Sequence, residues 1–181
     1  MNNIILWKRT IIWIICILMV AVLLYTLIAA GFNKPQSSIH IGSLAPDIQV
    51  TTLDGVSAKL SDYKGKGVIL NFWGSWCGPC VSEMPRLKEA YETGGNGVEI
   101  LAVNVGESKG TIIEFDQKLQ LPFPIMTDPA GEAAEAYRVT GLPATFVVTS
   151  EGQVKQVVSG ELTSTEQIKA LLKSVQPGAS S

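Results

Sequence analysis

Cys77 and Cys80 stand on either side of Gly78-Pro79, and two thiols at this spacing can close into a disulfide and reopen, carrying two electrons each time. Only the thiolate attacks a disulfide, and a free cysteine, with a pKa of about 8.5, is mostly protonated at neutral pH. The surrounding residues predict what lowers that value. Val68-Ile69-Leu70-Asn71-Phe72-Trp73 reads as a short buried strand and Pro79 to Tyr91 as a helix, so the pair sits on a strand-to-helix turn. At a helix N-terminus the first backbone N–H groups lack partners and the macrodipole leaves partial positive charge, which stabilises a thiolate. Cys77 occupies that end, while Pro79 fits the first turn, where its missing N–H costs nothing. Cys77 is therefore the expected nucleophile and Cys80, one turn in, the resolving thiol.

Other uses of the pair fit less well. A zinc site takes four ligands, and the other candidates are Cys16, in an apolar run, and the single His40, so no metal ligands are expected. A structural disulfide closing so short a loop would constrain the unfolded chain little. Val81 stands where a c-type haem site would need histidine. No cofactor beyond the cysteine pair is expected.

The elements that must carry this turn begin with an apolar one. Ile11 to Ala30 runs for 20 residues without a charge, Gly or Pro, enough at about 1.5 Å per residue to cross roughly 30 Å of hydrocarbon. It is longer than the 7–15 residues typical of a signal-peptide h-region, and Ile28-Ala29-Ala30 is a poor cleavage site, so an uncleaved anchor is expected. Lys8 and Arg9 precede the run and Lys34 follows it, so residues 1–10 are expected in the cytoplasm and the rest of the chain outside, as a single-pass cell-membrane protein. Without those three, the 14 basic residues fall to 11 against 16 acidic ones, a net charge of −5. Nucleic acid is not expected as a partner.

Residues 31–44 read as a polar tether with His40 solvated, 45–176 as one α/β domain, and 177–181 as a frayed tail. Within the domain, Asp47–Leu53 and Val56–Leu60 suggest a hairpin about Asp54-Gly55. The active-turn strand and helix follow, with Pro85 expected to kink the helix. Val98–Val105 reads as a buried strand, Ser108 as the cap of a helix to about Gln120, Ile125–Thr127 as a strand and Glu132–Tyr137 as a short helix. Thr145–Thr149 and Val154–Val158 form a second hairpin, and Thr163 with Glu166 reads as a capping box for a last helix to about Val175.

Trp-Cys-Gly-Pro-Cys after a buried strand, and Gly141-Leu142-Pro143-Ala144-Thr145 before a later one, resemble the thioredoxin superfamily. Ala45-Pro46-Asp47, Leu60-Ser61-Asp62, Lys64-Gly65-Lys66, Leu70-Asn71-Phe72-Trp73 and Ala102-Val103-Asn104-Val105-Gly106-Glu107-Ser108 are similar, more narrowly, to its membrane-tethered TlpA-like group. The likeness covers nearly the whole chain. It implies a thioredoxin-like α/β fold, a central mixed sheet flanked by helices, with an N-terminal β-hairpin extension and one N-terminal transmembrane helix. It also implies that Pro143 is a cis-proline and that Trp76, Gly78, Pro79, Leu142 and Pro143 form the substrate groove. Glu107 would be an acidic residue near the pair, able to accept a thiol proton; a surface-helix start is the plainer reading of it. Members of the group often carry Glu at the position of Gly78, and Asn71 stands where cytoplasmic thioredoxins hold a buried Asp. Trp73 and Trp76 are expected to flank the turn and bury the Cys80 side.

The activity implied is extracytoplasmic disulfide reduction, with electrons from a membrane thiol-disulfide carrier passing to the haem-binding motif of apocytochrome c during its maturation. Other extracytoplasmic proteins of the cell wall or spore are alternative substrates, and a non-catalytic binding module is a further alternative. A thiol peroxidase is a third, although such enzymes carry Pro seven and Thr or Ser three residues before the reactive cysteine, where Leu70 and Gly74 stand here.

Overall fold

The computed structural model describes residues 2–32 and 39–178, in two compact units, 1–37 and 38–181. The first is one helix, α1 (Asn2–Phe32). Among its described side chains, Trp7 and those of 11–26, the apolar ones are exposed, Trp13, Leu18 and Leu23 each about 60% or more. Over the residues whose side chains are described, no helix is long and apolar enough to cross a membrane; the predicted span, 11–30, runs past those residues.

In the second unit the strands are β1 (Gln49–Thr52), β2 (Ser57–Lys59), β3 (Gly67–Trp73), β4 (Val98–Val105), β5 (Ile125–Asp128), β6 (Ala144–Val148) and β7 (Val154–Ser159), in the sheet order β2-β1-β5-β4-β3-β6-β7. The helices are α2 (Gly78–Gly94), α3 (Lys109–Leu119), α4 (Glu132–Ala136) and α5 (Thr165–Ser174). Strand β3 is central, parallel to β4 and antiparallel to β6, and all seven of its residues are buried. A strand covered on both faces reads as a nearly continuous apolar run, as 67–73 does. Its alternation divides the core. Ile69 and Trp73 pack with Met84 and Leu87 of α2, Ile112 of α3 and Ile168 and Leu172 of α5. Val68, Leu70 and Phe72 face the other way, onto α4 and Tyr137, whose ring meets Phe72 at 5.3 Å and Phe146 at 4.8 Å.

The expected hairpin extension is present as β1–β2, turning at Gly55 with φ +88°, and β1 continues the sheet beside β5. Three expectations need correction. Residues 42–44, assigned to the tether, are bound to the sheet: Gly42 N donates to Val154 O at 2.7 Å, Val154 N to Ser43 O at 2.9 Å, and Leu44 bridges Gln153. The last helix is capped by Ser164, whose hydroxyl accepts from Gln167 N, and not by Thr163, because the chain is still extended at 164. Helix α2 runs through Pro85 to Gly94, three residues beyond Tyr91; Gly95 caps it through an N–H to Tyr91 O.

Candidate active site

Strand β3 ends where the chemistry begins. Cys77 N donates to Gly74 O at 3.1 Å, closing a tight turn, and a Cβ at Gly74 would lie 2.8 Å from the Trp76 indole nitrogen, so a side chain there would require the exposed Trp76 ring to shift. Cys77 takes the extended conformation of an N-cap, and its Sγ accepts from Cys80 N at 3.3 Å, with Pro79 in the first turn of α2. A sulfur that accepts an orphan helix N–H is better stabilised as thiolate than as thiol. The two cysteines form a disulfide. Cys77 is 8% exposed and Cys80 is fully buried, so an incoming disulfide reaches Cys77 first.

Register places the proline loop beside this turn. Phe72 pairs with Ala144, so Pro143, one residue earlier on the antiparallel neighbour, lies level with the end of β3. The Leu142–Pro143 peptide is cis. Leu142 and Pro143 line a cavity of about 370 Å³ with Arg138, Phe146 and Val157, whereas Trp76, Gly78 and Pro79 are exposed on the turn and do not line it. Trp76 is 69% exposed, whereas Trp73 is fully buried in the same core cluster as Cys80, its ring tilted at 41° to Phe115 with centroids 4.7 Å apart. A Cβ at Gly78 would meet nothing within 4 Å, so the turn itself tolerates a side chain there.

Glu107 is close to the turn but is fully engaged. Its carboxylate accepts from Ser75 N at 2.6 Å, Ser75 Oγ at 2.5 Å and Asn104 Nδ2 at 2.6 Å. Burial pushes its pKa up, but the donors on Ser75 and Asn104 outweigh that and hold it below the usual carboxylate range. A carboxylate so held is a poor proton acceptor, and the geometry is that of a latch fixing Ser75, two residues before Cys77. Nor does Glu107 begin the next helix, since Ser108 caps α3 by accepting from Thr111 N.

The acid that the sequence reading missed is Glu83. It lies three residues after Cys80 on α2, a spacing that puts the two side chains on one helix face, and it is fully buried. Its Oε1 accepts from Asn71 Nδ2 at 2.8 Å and its Oε2 from Leu162 N at 2.8 Å. Burial raises its pKa above the usual carboxylate range, against the lowering effect of the Leu162 and Asn71 hydrogen bonds; nearby Glu161 raises it further and Arg86 lowers it. Arg86 also donates to Leu162 O at 2.9 Å and pairs with Glu161, so the 161–162 segment is clamped against α2. The signal was available: Cys80, Glu83, Met84, Leu87 and Ala90 form the buried stripe of α2, and one of them is an acid.

A helix-capping disulfide on a mixed sheet with flanking helices defines a thiol-disulfide oxidoreductase of thioredoxin-like fold. Residues 41–157 match the AhpC/TSA family. Thiol-disulfide oxidoreductase ResA of Geobacillus thermodenitrificans is 44% identical over 165 residues, 91% of this chain and 94% of that protein. ResA of Bacillus subtilis is 40% identical over 168 residues, 92% of this chain and 93% of its own. Among solved structures, StoA from Bacillus subtilis aligns with a TM-score of 0.62 at 26% identity, covering 71% of this chain and 97% of that one. The chain belongs to the AhpC/TSA family and, with these relatives, to the ResA thiol-disulfide oxidoreductases.

Proposed function

We propose that this oxidoreductase is a membrane-anchored reductant of protein disulfides outside the cytoplasm, acting on the haem-binding cysteine pair of apocytochrome c and re-reduced by a membrane thiol-disulfide carrier. The observation that carries the reductase mechanism is the asymmetry of the pair: Cys77 at the surface on a helix N-cap, Cys80 buried, with Glu83 on the same face of α2. In the reduced protein the Cys77 thiolate attacks one substrate sulfur. The substrate disulfide breaks, its other sulfur leaves as a thiolate and takes a proton from solvent, and a mixed disulfide remains. Cys80 then gives its proton to Glu83 and attacks Cys77 Sγ. The protein disulfide re-forms, the second substrate thiolate leaves and is protonated, and two electrons have passed to the substrate. Buried Glu83 suits this role because its raised pKa brings its proton affinity nearer to that of a thiol.

The anchor rests on the uncharged run 11–30 and on helix α1, whose described side chains expose apolar surface on every side as a lipid-facing helix does. Outward placement of the domain rests on Lys8 and Arg9. The apocytochrome substrate rests on family likeness.

The deciding measurement is the reduction potential of the Cys77–Cys80 pair in the full chain, equilibrated in graded thiol buffers. A value near or below about −270 mV, that of thioredoxin, supports a reductase; a value near −120 mV, that of a strong oxidant, overturns it in favour of disulfide formation. Substrate class is tested with Cys80→Ser, which should trap an oxidised apocytochrome c as a mixed disulfide on Cys77. Absence of that adduct on non-reducing gels, with other cell-envelope proteins trapped instead, would redirect the substrate to the cell wall or spore.

A further inference from the structure

The cavity of about 370 Å³ beside the cis-proline belongs to the sheet face opposite α2 and contains neither cysteine. Phe146, buried in that face, lines it together with Val157, its register partner on the edge strand β7, which is 38% exposed. The chain before β1 supplies a further wall. Residues 42–44 run antiparallel to the start of β7, so the residues before them come level with its later half, and Ile39 lines the cavity there with Val157. Leu142 and Pro143 line the end that lies level with the last residues of β3, the strand that delivers Cys77. The result is an apolar groove that starts at the cis-proline.

Arg138 is the one charged residue among those lining it. It stands just past α4, where Val139 N donates to Ala134 O and Arg138 N to Glu135 O, each at 2.9 Å, and its φ is +51°. That helix ending needs a left-handed residue and is best served by glycine, so the turn does not account for an arginine. The Arg138 side chain is exposed, and among the described residues no carboxylate pairs with its guanidinium. A free guanidinium offers a fork of N–H donors that matches a carboxylate. Set beside an apolar groove, it fits a polypeptide that presents an acidic residue next to an apolar one.

We propose that this groove is a specificity subsite for the substrate protein, taking an apolar side chain near the reactive cysteine while Arg138 pairs with an adjacent aspartate or glutamate. The proposal rests on the reading of this chain as a reductant of protein disulfides. The occupant is the substrate chain itself, because a polypeptide joined to Cys77 lies against the Leu142–Pro143 loop, and the groove continues from that loop.

The test uses synthetic peptides closed by one internal disulfide, with adjacent leucine and glutamate, in either order, placed at successive positions on each side of the cysteines. Six residues on each side cover about 20 Å of extended chain at ~3.3 Å per residue. Matched peptides carry glutamine in place of the glutamate. The rate constant for reduction of each by the reduced full chain in detergent is measured. At one register glutamate should exceed glutamine by about three- to fivefold, the range of an exposed ion pair, and about 0.5 M salt should remove most of the difference. In Arg138→Gly that ratio should fall to about one, whereas Arg138→Lys, which keeps the charge and loses the fork, should keep part of it. The denaturation midpoint of Arg138→Gly should hold or rise, since the left-handed backbone is relaxed. A ratio that survives in Arg138→Gly, or a scan in which no register favours glutamate, would overturn the subsite and leave the reductase reading intact. If no peptide disulfide is reduced at any register, the reductase reading itself falls.

Discussion

Glu83 and Glu107 have the same side chain and opposite environments. Glu107 meets three donors from Ser75 and Asn104 and is held ionised, whereas Glu83 meets two, from Asn71 and Leu162, in a fully buried site where desolvation wins and its proton affinity rises. Replacing Glu83 by Gln should leave the attack of Cys77 on substrate unchanged and slow release of the mixed disulfide by about 10²- to 10⁴-fold, the usual worth of a placed base. Rapid-mixing kinetics that separate the two steps check this, and an unchanged release rate would remove Glu83 from the mechanism. Stability gives an independent reading. Because the folded chain holds the Glu83 proton to higher pH than the unfolded chain, the contribution of this group is fully present below the ordinary carboxylate range and is lost as pH rises through its raised value. Glu83→Gln should therefore gain on the wild type as pH rises through that window, measured by denaturant unfolding at a series of pH values. At Gly78, where a Cβ meets nothing within 4 Å, Glu would add a negative charge beside the thiolate at no steric cost. Gly78→Glu should raise the Cys77 pKa, seen as a shift of its alkylation profile to higher pH. The cysteine pair was legible in the sequence because its chemistry lies in adjacent residues. The α2 stripe marked Glu83 as an acid on an apolar face, but its role was not legible, because its partners Asn71 and Leu162 are brought to it from β3 and from the approach to α5.

The turn between β3 and α2 is positioned by an element that contributes no reacting atom. Glu107, just beyond the end of β4, grips both the N–H and the hydroxyl of Ser75, so parallel pairing of β3 with β4 becomes an anchor for the residues before Cys77. Glu107→Gln sets an amide donor against these donors at a partly exposed site, where water can take up part of the loss, and should cost about 1 kcal/mol or less. The Glu107 contribution is full above the ordinary carboxylate range and is lost as pH falls through its lowered value, so the gap between variant and wild type should narrow in acid; a gap independent of pH would show that the latch is not electrostatic. Strand existence and order of appearance were legible from apolar runs such as 68–73 and 98–105, whose observed bounds, 67–73 and 98–105, differ by one residue at most. What the runs could not show is the pairing: β1 beside β5, and residues 42–45 held along the start of β7, depend on contacts between distant segments. The Ser164 cap was missed because Thr163 offers the same hydroxyl one residue earlier, and only the backbone conformation at 164 decides between them.

At the scale of the molecule, the 38–181 unit carries its active turn at the C-terminal end of a buried strand, while the described side chains of the N-terminal helix expose apolar surface. The proposed anchor follows from that surface, because lipid would accept exposed apolar side chains on a helix whose backbone is already satisfied internally. The position of the charges then sets which side the chemistry is on. Lys8 and Arg9 stand before the run and Lys34 alone stands close after it, so in the topology proposed above the positive-inside bias would retain the N-terminus and export the cysteines. That side matters to the mechanism, because a disulfide substrate persists outside the cytoplasm, whereas cytoplasmic reductants remove it. The full chain should sediment with membranes and resist extraction by salt, and protease added to intact protoplasts should cleave the 38–181 unit. If the cysteine domain were cut only after lysis, it would lie in the cytoplasm and the extracytoplasmic reductase reading would fall. Moving the bias gives the sharper version. Replacing Lys8 and Arg9 by Gln and adding two lysines directly after the run should invert a fraction of the chains, and that fraction should lose the ability to reduce an external disulfide while keeping an intact Cys77–Cys80 pair. An inverted population that still reduces external substrate would show that the protein does not act from the side on which its domain resides.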